Sequence, residues 1–169
     1  MDPDIQLMMF VYTHFYISVT VLSKPESKGY IELKSKNPYD KPKIDPMHLT
    51  VEKDVNRLAD GVRKASEIFK RMKLSQNDAD ECRHLNTRSI DYWKCFVIER
   101  GGTFFHPVGT CKMGSEKSSS VVDNKLKVIG LQNVRVADAS VFPDQISGNP
   151  VATILMIAER VVDFIKNDQ

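Results

Sequence analysis

From Ile5 to Leu22 the chain is mostly apolar, interrupted by Gln6, Thr13, His14, Ser18 and Thr20. Such interruptions are costly in a membrane-spanning helix, and Asp2 and Asp4 stand where a secretory leader wants positive charge. The segment therefore predicts buried strands. Ile17, Val19 and Val21 alternate with Ser18 and Thr20, and Ile31 and Leu33 alternate with Tyr30, Glu32 and Lys34. The turn-rich Lys24-Pro25-Glu26-Ser27-Lys28-Gly29 joins the two runs. Together they predict neighbouring antiparallel strands with one buried face. Asn37 to Pro46 carries three prolines, which exclude a regular helix or a central strand.

The period then changes. Val51, Val55, Leu58, Val62, Ala65, Phe69 and Met72 recur at three- and four-residue steps, predicting a packing helix with one apolar stripe. Thr50 is the expected N-cap. Glu52 and Asp54 fall in the first turn and Lys70, Arg71 and Lys73 in the last, as the helix dipole favours. Ser75 to Asn86 reads as a polar loop. A second helix is predicted over Ser89 to Arg100, with Tyr92, Trp93, Phe96 and Val97 as its bulky face and Gly101-Gly102 as its end. Thr103-Phe104-Phe105 predicts a short strand into His106.

Beyond a polar connection at Ser115 to Ser120, Val121-Val122 and Leu126 to Ile129 predict short strands about an Asp123-Asn124 turn. A further strand, Val134 to Ala137, runs into Asp138-Ala139-Ser140. Asn149 before Pro150 marks a helix start, asparagine at the N-cap and proline at the first helical position. Val151, Ala152, Ile154, Leu155, Met156 and Ile157 make the opening of that helix almost wholly apolar, and polar residues enter from Glu159 onward. Its beginning is expected to be buried and its tail to reach solvent.

Composition narrows the function classes. A chain of 169 residues, 41% hydrophobic and 27% charged without a low-complexity run, reads as globular with a sizeable core. A net charge of +2, with no basic stripe interleaved with aromatics, leaves no nucleic-acid footprint. Cys82, Cys95 and Cys111 are odd in number and contain no C-x-x-C pair, which argues against a zinc site and against a disulfide framework. A Cys82–Cys95 bridge stays open on sequence grounds, and the compartment with it.

Four histidines are candidates for proton chemistry. His14, His48 and His84 sit in strand-like or loop-like settings without a special context and read as structural or surface residues. His106 precedes Pro107-Val108-Gly109-Thr110, small residues that let backbone approach a neighbour closely. Unperturbed imidazole in general titrates near neutrality, which suits that side-chain type to a general base. A buried helix start at Asn149 would present free N–H groups and partial positive charge to an anion, or to a group that becomes one. The bland alternative is a capped core helix. Asp138, at a strand end, either lies near a ligand or simply closes a turn.

His106-x-x-Gly109-Thr110-x-x-Met113, Asp138-Ala139-Ser140 and Ser147-Gly148-Asn149-Pro150 with its apolar helix, in this order, resemble the C-terminal part of the glucose–methanol–choline (GMC) flavoprotein oxidoreductases. Pro25-x-Ser27-x-Gly29 looks like a loop of that family's substrate domain. The resemblance implies an α+β fold: an antiparallel sheet covered by helices, then a C-terminal strand and helix that return to the FAD-binding domain. It assigns 1–120 to substrate binding and 121–169 to the return segment.

The same resemblance makes His106 the catalytic base and Asn149 the second active-site residue, positioning the alcohol oxygen. FAD would lie against Asp138, Ala139, Asn149, Pro150 and Val151. The implied partners are a small-molecule alcohol, sugar or sterol-like donor and an electron acceptor, quinone or oxygen, that the sequence leaves undetermined. No nucleic acid, metal or membrane span is implied, and a secreted location would follow only from a signal peptide on a longer chain. Gly101-Gly102 departs from the threonine-rich pattern usual before the histidine. No Gly-x-Gly-x-x-Gly dinucleotide fingerprint occurs anywhere, so an incomplete, catalytically inactive piece or a binding module is the alternative reading.

Overall fold

The apolar opening run folds back on itself. In the computed structural model, which describes residues 3–74, 79–115 and 119–167, β1 (Ile5–Val11) pairs antiparallel with β2 (Tyr16–Leu22). Ile5 lies opposite Leu22 and Val11 opposite Tyr16. A second ladder joins β3 (Tyr30–Glu32) to β4 (Lys43–Asp45). The partnership expected between residues 17–23 and 30–34 is therefore not formed. The first run pairs back onto β1 and the second pairs forward onto β4, which the proline-rich stretch supplies between Pro42 and Pro46, in a two-stranded ladder where both strands are edges. Nor is the hairpin buried as expected: Leu7, Phe10 and Ile17 are 40 to 45% exposed.

The helices follow their periodicity. α1 (Glu52–Arg71) buries Val55, Ala59, Ala65 and Phe69, and α2 (Ile90–Arg100) buries Tyr92, Trp93 and Val97. Val55, Ala59, Tyr92, Trp93 and Val97 form one core with Ala79 and Cys82, onto which Leu58, Val62, Leu85 and Phe96 pack. Met72, the last residue of the predicted stripe, is 51% exposed. Ser89 caps α2 by accepting the Asp91 N–H. Thr50 does not cap α1. Its hydroxyl donates to the Met47 carbonyl, and the cap residue Val51 instead donates its N–H to Ser27 Oγ, from the loop 24 residues earlier.

That loop is fastened by a buried carboxylate. Asp54, 1% exposed, accepts the Glu26 and Ser27 N–H groups, the Ser27 hydroxyl and the Arg57 guanidinium. Arg57 in turn reaches Asp4 and the Lys24 carbonyl. Burial alone would push the Asp54 carboxyl up. The Glu26 N–H, the Ser27 hydroxyl and N–H, and Arg57 outweigh it and hold it at about 2. Gly29, at the end of the same loop, lies close to the backbone at the end of β4, where a Cβ would stand 2.0 Å from the Asp45 carbonyl oxygen.

The chain divides into two compact units, Met1–Phe104 and Phe105–Gln169. The second has little regular structure before α3 (Val151–Asn167). Thr103-Phe104-Phe105 is not a strand: Phe105 is 82% exposed with φ of 60°. The short strands expected at 121–122, 126–129 and 134–137 reduce to isolated bridges, Val122 with Met113 and Val128, and Lys127 with Arg135. The Asp123 turn between them is present, its carboxylate accepting the Lys125 and Lys127 N–H groups. Val122, Leu126, Val141, Phe142 and Ile157 form the core of this unit.

α3 contributes Ile154, Ile157, Val161 and Phe164 to that core, one face at helical spacing. Its other face is bare, with Val151, Leu155 and Met156 exposed at 63, 61 and 59%. The buried opening expected of this helix is thus not found in this chain, because one face alone satisfies the unit's small core. The polar loops predicted at Ser75–Asn86 and Ser115–Ser120 lie partly outside the described residues.

Candidate functional site

All of the predicted site residues fall in the second unit, and backbone hydrogen bonds lace their segments together. Cys111 N–H donates to the Ser140 carbonyl (2.9 Å) and Met113 N–H to the Val141 carbonyl (2.8 Å). These two bonds hold the histidine segment along the turn that carries Asp138 and Ala139. A third contact comes from a side chain, Gln145 Nε2, which donates to the His106 carbonyl at 2.7 Å. Val108 and Met113 pack onto the core formed by Val141 and Phe142, so burial reinforces the lacing.

His106 is half-buried, its backbone held from the segment that enters α3. Asn149 is exposed and Pro150 buried. The first helical bond runs from the Ile154 N–H to the Pro150 carbonyl, so the helix opens one residue later than an Asn149 cap requires. Gly148 sets up this entry with φ of 148°, a backbone region that a side chain would strain. The Gly148 N–H closes a tight turn onto the Ile146 carbonyl at 3.0 Å.

Asp138 is exposed and its carboxylate accepts the Ser140 N–H at 2.8 Å, capping the short 3-10 turn Ala139–Val141. That is the turn-closing role weighed from the sequence. One carboxylate oxygen is committed to the turn. Ala139 is half-buried beside it.

An isoalloxazine ring would need an open apolar surface, accessible polar groups and a helix start. Val151 at 63% exposure, exposed Asn149 and the opening turn of α3 are of those kinds, so the residues present fit that part of a flavin. A dinucleotide's phosphates want a glycine-rich strand-to-helix turn, and this sequence has none. Sequence reasoning missed Gln145, which stands in the turn-rich Pro143-Asp144-Gln145 with no periodicity to mark it. Only the folded chain brings it to His106.

A family model described as GMC oxidoreductase matches residues 25–158. The mitochondrial choline dehydrogenase of Mus musculus is 41% identical over 145 residues, covering 83% of this chain and 24% of that protein. The glucose dehydrogenase [FAD, quinone] of Drosophila pseudoobscura pseudoobscura is 35% identical over 150 residues, covering 84% of this chain and 24% of its own length. Among solved structures, a variant of the Aspergillus oryzae formate oxidase, studied for FAD modification, superposes with a TM-score of 0.84 at 26% identity. It covers 99% of this chain and 32% of its own. The chain thus spans about a quarter of the length of the curated relatives it matches.

Proposed function

This chain belongs to the GMC oxidoreductase family, and from that premise we propose that it is the C-terminal portion of an FAD-dependent enzyme oxidising a CH–OH donor, with His106 as general base. The donor is an alcohol, sugar or sterol-like hydroxyl, and the acceptor a quinone or oxygen. The observation that supports this most is the lacing of the His106 segment to residues 138–145, which gives the histidine a fixed backbone in the unit that also holds Asn149.

In this reading the imidazole of His106 takes the hydroxyl proton of the bound alcohol near neutral pH, as general base. The Asn149 amide has no basic character in that range, so it orients the alcohol oxygen by hydrogen bonding and His106 is the sole proton acceptor. Bound FAD would supply the hydride acceptor. Asp138, Ala139, Asn149, Pro150 and Val151 would hold it. Pro150, which lacks an N–H, only shapes the turn. The α3 N-terminus would supply partial positive charge to a flavin held by Asn149, Pro150 and Val151. By role, residues 1–120 bind substrate and 121–169 return to the FAD-binding half. The two compact units are a division by contact.

The test is made in the enzyme that carries this chain. His106→Ala should slow flavin reduction by the donor about a hundredfold or more while leaving the flavin bound. Unchanged reduction would remove His106 from the mechanism. The second reading, an inactive fragment or binding module, is favoured by the absent phosphate-binding loop. A visible spectrum of the purified protein separates the two: a flavin band supports the enzyme, and a colourless protein supports the module.

A further inference from the structure

In the connection between α1 and α2, the described residues 79–89 include a short 3-10 turn, Asp80–Cys82. Among these described residues the backbone bonds are local: Cys82 N–H to Ala79, Arg83 N–H to Asp80, Leu85 N–H to Cys82 and Ser89 N–H to Asn86. Local bonds shape a turn without fixing it to its neighbours. Arg100 and Glu81 pair across to α2, but both side chains are about half exposed, where an ion pair contributes little. Leu85 adds packing against the core. The strong tie is covalent, the Cys82–Cys95 disulfide from the turn to the middle of α2, with Cα atoms 5.9 Å apart.

Cys82 is fully buried among Val55, Ala59, Ala79, Tyr92, Trp93 and Val97. Among the described residues no cluster of histidine, cysteine or acidic side chains could hold a metal there. We infer that Cys82 and Cys95 are a maturation site, a thiol pair that must be oxidised for the first unit to hold its shape, while Cys111 stays a thiol. In the step each thiol gives up a proton and the pair gives up two electrons. A disulfide oxidant of the glutathione or thiol-oxidoreductase class accepts them and leaves as two thiols. The chain is accordingly made for an oxidising compartment, where such bonds persist. None of this depends on the flavin reading.

The experiment counts thiols and then melts the protein. The full chain, produced through an oxidising route and alkylated with iodoacetamide in denaturant, should take one label, on Cys111, and three after reduction. Three labels without reductant would overturn the proposal. Dithiothreitol should lower the unfolding midpoint of the native protein by roughly 10–20 °C, the size expected for releasing a short disulfide loop in a domain this small. A Cys82→Ala/Cys95→Ala variant should melt low and ignore the reductant. Should that variant fail to fold, the reductant titration of the unaltered protein decides alone: an unmoved midpoint sinks the idea.

Discussion

The two units spend their sequence differently. Met1–Phe104 carries two packed helices, a buried carboxylate clasp and the disulfide. Phe105–Gln169 carries every candidate site residue on turns, isolated bridges and one helix entry. Regular elements satisfy their own backbone groups and leave side chains for packing. Turns leave backbone and polar side chains available for a ligand. The contrast separates the part of the chain that carries the packing and the covalent tie from the part where the proposed chemistry would sit.

The contrast breaks most severely at Asp54. Asp54→Ala strands the Glu26 and Ser27 N–H groups and leaves Arg57 without its buried partner. It should cost the first unit about 3–5 kcal/mol, read by urea denaturation. A loss below about 1 kcal/mol would make the clasp incidental. His106→Ala is the mirror case. Against its roughly hundredfold rate loss, the unfolding free energy read by denaturation should change by no more than about 0.5 kcal/mol. A large stability loss instead would make the histidine structural.

Acid sharpens the comparison with a smaller effect. The Asp54 pKa lies below its ordinary value of 3.8, at about 2, so its stabilisation is complete above pH 4 and disappears as pH falls through 2. The first unit should lose about 2 kcal/mol across that window. Asp54→Asn should flatten the slope, and an unchanged slope would move the effect to other carboxylates. The smallest expected change is at Gln145. Gln145→Leu removes the bond to the His106 carbonyl and should cost about 1 kcal/mol of second-unit stability. It should also slow turnover through looser placement of the imidazole. Turnover equal to that of the unaltered enzyme would leave the bond without a positioning role.

All three helices were legible from the chain because their signal is local. A 3.6-residue stripe, Ser89 at a cap and Asn149-Pro150 ahead of an apolar run need no knowledge of distant residues. Strand pairing was not legible. The alternating runs at 17–23 and 30–34 look fit to pair with each other, and only folding showed that the first turns back to β1 and the second forward to β4. Asp54 was read as a first-turn acid placed for the helix dipole. Its burial depends on a loop some 28 residues earlier closing over it.

The sequence by itself determined the helices, the family and the candidate residues, since these rest on residue types at fixed short spacings. Tertiary structure alone decided that Gln145 meets the backbone of His106, that Ser27 takes over the task expected of Thr50, and that the opening face of α3 stands uncovered in this chain. A short-range pattern states what a segment prefers. Which distant group meets that preference depends on how the whole chain closes.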